Sequence, residues 1–91
     1  MAVFNLEIIT PEKRVFTGNV SAVKLPGTDG SFAVLSLHAP LISSLDKGIV
    51  EITQENGTKK QFKTQGGVVE VLNNKVIVLV ERVIEEANSA V

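Results

Sequence analysis

The side chains able to do acid–base or nucleophilic chemistry are few in this sequence, and their spacing does not gather them. His38 is the only histidine and there is no cysteine. Thiolate chemistry, disulfide frameworks and cysteine-ligated zinc therefore drop out, and a single histidine leaves a zinc site without its usual donors. A serine triad would have to join His38 to Ser21, Ser31, Ser36, Ser43, Ser44 or Ser89, and none of these stands in a G-x-S-x-G nucleophile elbow. A structural or interface role for His38 outranks catalysis on that ground. Glu7, Glu12, Asp29, Asp46, Glu51, Glu55 and Glu70 fall on turns or on the polar side of extended segments, while Glu81, Glu85 and Glu86 accompany Arg82 near the end of the chain. Solvation accounts for all of these carboxylates better than a catalytic pair does.

Binding chemistry is sparse as well. Gly27-Thr28-Asp29-Gly30 matches the GxxG pattern that clamps a nucleic-acid backbone, but extended segments rather than helices flank it and it carries an acid. No G-K-[ST] follows it, so it is not a phosphate loop. Nine basic and ten acidic residues leave a net charge of −1, and nothing electrostatic recruits nucleic acid or anionic lipid. Carbohydrate-binding sandwiches offer aromatic platforms, whereas the aromatic residues here are Phe4, Phe16, Phe32 and Phe62 alone. The expectation is a chain with no catalytic, cofactor or metal site, whose function lies in docking onto other proteins.

The elements that present such a surface read as strands. A length of 91 residues fits one domain, and 44% hydrophobic with 21% charged residues is ordinary for a globular protein. Residues 3–10 alternate, with Phe4, Leu6 and Ile8 on one side and Asn5 and Glu7 on the other, as in a half-buried strand. Pro11 interrupts them. Extended pieces follow at 14–16, 20–25, 31–35, 41–45, 49–54, 59–65, 68–72 and 75–80. Turn chemistry separates most of them: Pro26-Gly27-Thr28-Asp29-Gly30, Asp46-Lys47-Gly48, Asn56-Gly57 and Asn73-Asn74. About eight short strands with turn signals every eight to twelve residues is the pattern of a sandwich or barrel. The expected organisation is one all-β domain, a sandwich or barrel, over residues 1–80, followed by a short tail or helical turn over 81–91. Residues 76–80 are apolar on both faces, which fits either a strand covered on both sides by its own fold or one with a face turned to a partner. The amino terminus lacks the basic and apolar regions of a signal peptide, and the run 76–80 is far short of the roughly 20 residues that span a bilayer. The sequons at Asn19 and Asn56 are read as chance, so a cytosolic or peripheral location is expected.

Several segments taken in order resemble one family. Leu6-Glu7-Ile8-Ile9-Thr10-Pro11-Glu12-Lys13 and Val15-Phe16-Thr17-Gly18 are similar to the first strands of the epsilon subunit of rotary (F-type) ATP synthases. Val23-Lys24-Leu25-Pro26-Gly27-Thr28-Asp29-Gly30, His38-Ala39-Pro40-Leu41-Ile42, Gly48-Ile49-Val50, Gly66-Gly67-Val68-Val69-Glu70-Val71 and Asn74-Lys75-Val76-Ile77-Val78-Leu79 continue the likeness to about residue 80. The resemblance implies a flattened antiparallel β-sandwich of eight to ten short strands in the central stalk, or rotor. There it would dock on the gamma subunit and the ring of c subunits, coupling ion translocation to ATP synthesis without catalysing a reaction itself. Carried over by position, Pro26, Gly27, Thr28, Asp29, Gly30 and Ser31 would face the c-ring, and Thr10, His38 and Ser43 would face gamma. The implied location is peripheral, at the cytoplasmic face of the plasma membrane, without insertion into the bilayer. Family members commonly continue as a helical hairpin that inhibits hydrolysis and in some binds ATP, so neither function is expected of these 91 residues. The family usually has Pro-Gly before His-Ala-Pro, where this chain has Ser36-Leu37. The alternative expectation is a free-standing β-sandwich binding module of another class.

Overall fold

The computed structural model describes residues 2–89. Within them the chain forms seven strands and no helix: β1 Phe4–Ile9, β2 Arg14–Gly27, β3 Gly30–Leu35, β4 Leu41–Leu45, β5 Gly48–Gln54, β6 Lys59–Leu72 and β7 Lys75–Ser89. The count falls below eight because pieces read as separate strands are continuous. Residues 14–16 and 20–25 merge into β2, and residues 59–65 and 68–72 merge into β6 across Gly66-Gly67.

The three long strands change partners along their length, and this folds the sheet into a sandwich. In the first layer β1 lies between the start of β2, antiparallel, and the start of β7, parallel. The start of β7 pairs with the end of β6, which pairs with β4. In the second layer the end of β2 pairs with β3 and β5, β5 with the start of β6, and the start of β6 with the end of β7. Each layer thus holds five segments, and β2, β6 and β7 belong to both. A strand that bends this way must switch the face it turns inward, which takes an extra residue or an odd step. The buried residues record it: Val20 then Val23 and Leu25 in β2, Phe62 and Thr64 then Val69 and Val71 in β6. A bulge where the register skips Ser21 supplies the step on β2, and a second bulge skips Ile84 on β7 within the second layer.

Between the layers lies one core of Phe4, Leu6, Ile8, Val20, Val23, Leu25, Val34, Leu45, Val50, Ile52, Phe62, Val69, Val71, Val76, Val78 and Val80. Phe16 packs edge-on against Phe62 with ring centroids 6.3 Å apart. Among the described residues no buried side-chain nitrogen or oxygen lacks a hydrogen-bond partner.

The expected tail is corrected by the ladder. Residues 81–89 extend β7 and pair with 59–65 of β6, Glu85 opposite Lys63 and Glu86 opposite Phe62. Glu81, Arg82, Glu85 and Glu86 hide the alternation, because this half of the strand lies at the edge of its layer, with Val83 packed inward. Charge along an edge strand also discourages pairing with other chains. Residues 90 and 91 lie outside the described residues.

The turns differ in kind. Asn73 and Asn74 have φ of +51° and +60°, the two positive values of a type I′ hairpin. At the other Asn-containing turn only Gly57 is positive, at +87°. Gly57 N–H donates to the Gln54 carbonyl (2.9 Å), and Thr58 N–H donates to Asn56 Oδ1 (2.9 Å). No atom comes within 4 Å of a Cβ built on Gly57, so a substitution there meets strain and no collision. Gly57→Val should destabilise the domain by about 1–2 kcal/mol, read as a lower urea midpoint at unchanged slope.

The strand directions give the sandwich two ends. Asn73-Asn74, the loop 36–40 and the β5–β6 turn lie at one, called the upper end. The Thr28-Asp29 turn, Asp46-Lys47 and the turn 10–13 lie at the other, the lower end.

Candidate docking surface

The outward sides of the two layers differ in chemistry. On the first layer Ile9, Leu79, Val68 and Ser44 lie in one row across β1, β7, β6 and β4, and Glu7, Ile77, Glu70 and Ile42 form the next. Ile42 and Leu79 remain 72% and 45% exposed. Glu7 is neutralised in place, its carboxylate 3.3 Å from both Arg14 Nε and Lys75 Nζ. On the second layer Gln61 Nε2 donates to Glu51 (2.8 Å), Lys59 stands 3.9 Å from the same carboxylate, and Lys24 and Lys63 are exposed. The second layer's outer face is mostly charges and amides, with Leu35 and Ile49 exposed among them, while the first gathers Ile9, Ile42, Val68, Leu72, Ile77 and Leu79, interrupted by Ser44 and the exposed Glu70. Aliphatic side chains gathered in this way on one face of a small domain suit an interaction surface.

Two recesses flank the band. At the lower end Ile9, Pro11, Gly67, Leu79 and Val80 line a cavity of about 490 Å³ with Thr10 and Glu81 at its margin. At the upper end Pro40, Leu41, Ile42, Glu70, Val71 and Leu72 line one of about 420 Å³. Both suit single aliphatic or aromatic side chains of a partner. Among the described residues no three histidine or carboxylate groups converge as metal ligands would.

The residues carried over from sequence do not form one cluster. Thr10 is 8% exposed and organises its own turn: its N–H donates to the Lys13 carbonyl (2.9 Å) and its Oγ1 accepts from Lys13 N–H (3.2 Å). His38 is half-buried at the upper end, with Nδ1 2.7 Å from the Ala39 carbonyl. Ser43 is half-buried on the core-facing side of β4, in phase with Leu41 and Leu45, so that Ile42 is the outward group there. Of the segment Pro26 to Ser31 only Thr28 and Asp29 are turn residues. Pro26 and Gly27 close β2, and Gly30, at φ +123°, opens β3 with Ser31. The tip is tied to β4: Thr28 N–H donates to the Ser44 carbonyl (3.2 Å), the two hydroxyls are 2.8 Å apart, and Asp46 N–H donates to the Pro26 carbonyl (2.8 Å). Asp29 projects from a braced hairpin into solvent.

Residue-type reasoning missed Ile9, Ile42, Val68 and Leu72 as surface residues. The signal that could have found the band was the doubly apolar run 76–80. Its Val76, Val78 and Val80 fill the core, while Ile77 and Leu79 turn outward.

Residues 3–86 match the family described as the ATP synthase, Delta/Epsilon chain, beta-sandwich domain. The chain belongs to this family. It is 53% identical over 74 residues to the ATP synthase epsilon chain of Pelotomaculum thermopropionicum, covering 81% of this chain and 54% of that one. With the ATP synthase epsilon chain of Chlorobium limicola it shares 41% identity over 80 residues, 88% of this chain and 91% of the relative. The chain therefore spans about half of the first relative and nearly all of the second. Its fold is that of a chain in the Euglena gracilis mitochondrial ATP synthase OSCP/F1/c-ring structure, with a TM-score of 0.85 at 23% identity over 97% of this chain and 54% of that one. A chain in the Tetrahymena thermophila mitochondrial ATP synthase central stalk/c-ring structure matches with a TM-score of 0.73 at 20% identity, covering 89% and 65%. Family and fold thus agree with the epsilon resemblance and with the all-β sandwich expected from it.

Proposed function

We propose that the domain is a non-catalytic component of the central stalk of an ATP synthase, docking its apolar first-layer face on the gamma subunit and its Thr28-Asp29 tip on the c-ring. The observation that carries this reading is the contrast between the two outer faces, set within an epsilon-chain family. A stable interface buries on the order of 1,200–2,000 Å² in total, which one sheet face of a domain measuring 31 × 31 × 25 Å can supply together with the partner's equal share. In this arrangement Thr10, His38 and Ser43 lie on or near the docking face, Thr10 lining the lower recess, His38 at the upper end and Ser43 within β4 beside the outward Ile42. The tip suits a smaller, polar contact, since Thr28, Asp29 and Ser31 carry no large apolar group. No helix among the described residues is long and apolar enough to cross a membrane, and the proposed attachment is peripheral, through the complex at the cytoplasmic face of the plasma membrane.

The deciding experiment is a pull-down against purified gamma, followed by ion-driven ATP synthesis in reconstituted membranes. If the wild-type chain fails to bind gamma, the stalk reading fails and a free-standing binding module takes its place. Asp29→Lys should leave the denaturation midpoint and gamma affinity within error of wild type and lower coupled synthesis. Full synthesis by the variant would remove the tip from the c-ring contact.

A further inference from the structure

Leu37 is 81% exposed and has a φ of +64°. The other non-glycine residues with positive φ among those described are Asn73 and Asn74, a residue type that tolerates this region, whereas leucine does not. The strain is held by a network. Leu37 N–H donates to Asn74 Oδ1 (2.8 Å), Asn74 Nδ2 donates to the Val3 carbonyl (3.0 Å), and the Asn74 carbonyl accepts from Asn5 N–H (3.3 Å). Three segments of the upper end, the loop 36–40, the Asn73-Asn74 turn and residues 3–5, thus fix a turn whose apolar side chain points at solvent. Leu72, which ends β6 two residues before Asn74, is itself 48% exposed at the same end.

We infer that Leu37 is an anchor of the gamma interface, an aliphatic side chain held out by a strained turn so that it enters an apolar pocket on gamma. The inference rests on the docking reading above. Its position favours gamma over the c-ring. β3 runs from the Asp29 tip to Leu35, so Leu37 stands roughly 20 Å from the tip, at the far end of the domain. It shares that end with the recess of Pro40, Ile42 and Leu72 at the border of the apolar face. Stability and binding then make opposite demands on this residue, and opposite demands can be measured.

The test compares Leu37→Gly and Leu37→Ala by urea denaturation and by calorimetric titration with purified gamma. Leu37→Gly relieves the strain, so its midpoint should rise while its affinity for gamma falls at least tenfold, about 1.4 kcal/mol. Leu37→Ala keeps the Cβ and the strained φ, so its midpoint should not rise, and its affinity should fall to a similar extent. That arm separates a lost anchor from a loosened loop. If wild type binds gamma and both variants bind equally well, the anchor is refuted while the docking reading stands. If only Leu37→Gly weakens binding, the turn's rigidity rather than the leucine side chain is responsible, which also overturns the anchor. Absence of wild-type binding refutes the docking reading itself.

Discussion

Gly67→Ala should lower the free energy of unfolding by about 3 kcal/mol or more, near the upper limit for adding one methyl group. Gly67 stands opposite Val80 where β6 and β7 turn from one layer into the other. A Cβ there would collide with the Leu79 carbonyl oxygen and come within 2.9 Å of Leu79 C and Val80 Cα. All three are backbone atoms of the neighbouring strand, so no side-chain rotation relieves the contact. Either the ladder opens or the layers separate. A domain of this size has a total stability of roughly 5–14 kcal/mol, so the loss is a large share of it. At about 4–8 °C per kcal/mol the melting temperature should fall by about 12 °C or more. Gly57→Val, where only the backbone is strained, is the internal comparison. A Gly67→Ala protein within 1 kcal/mol of wild type would mean that the two strands do not approach so closely.

The second large effect is on association. Leu79→Glu should reduce gamma affinity by a factor of about 100, or 2.7 kcal/mol, with little change in the unfolding midpoint. Leu79 lies between Ile9 and Val68 in the apolar row and lines the lower recess. Its side chain is turned away from the core, so folding tolerates the charge. In a complex the same carboxylate would be taken from water and placed against aliphatic groups without a partner. Lys24→Glu, on the polar outer face of the second layer, should change affinity by less than about a factor of three. Equal affinities for Leu79→Glu and wild type would remove the first-layer face from the interface.

The sequence told most where local chemistry and tertiary packing agree. Phe4, Leu6 and Ile8 alternate and are buried, as residues 3–10 alone imply. Asn73-Asn74 forms its hairpin because both residues tolerate positive φ. The continuity of β2 and β6 was not legible, because Gly18-Asn19 and Gly66-Gly67 read locally as breaks. In the fold Gly18 and Asn19 pair in register with Leu6 and Asn5, and Gly67 allows a close approach of strands. Residues 81–89 were not legible either, since Glu81, Arg82, Glu85 and Glu86 carry no periodicity. Their strand is imposed by the β6 ladder, with Lys60 Nζ 3.6 Å from Glu86 adding a modest exposed pair. At the candidate surface the doubly apolar run 76–80 left two readings open. Deciding between them required knowing which neighbours β7 has on its outer side. On β4 the pleat turns Ile42 outward and Ser43 toward the core, an alternation that residue types alone do not reveal. The family's glycine before His-Ala-Pro is explained by Leu37: that position has left-handed backbone.

The parallel pairing of β1 with β7 has a consequence for the order in which the protein comes into being. Residues 5–9 are synthesised well before the strand that completes their hydrogen bonding, residues 75–79. At roughly 5–20 residues per second, Leu6 and Ile8 wait several seconds with one backbone edge open. Closing so long a loop is entropically costly, and folding dominated by distant pairings runs on a scale of milliseconds to seconds. The sandwich therefore cannot close before β7 has been made, and a nascent chain stalled before Lys75 exposes the unpaired edge of β1 to every neighbouring polypeptide.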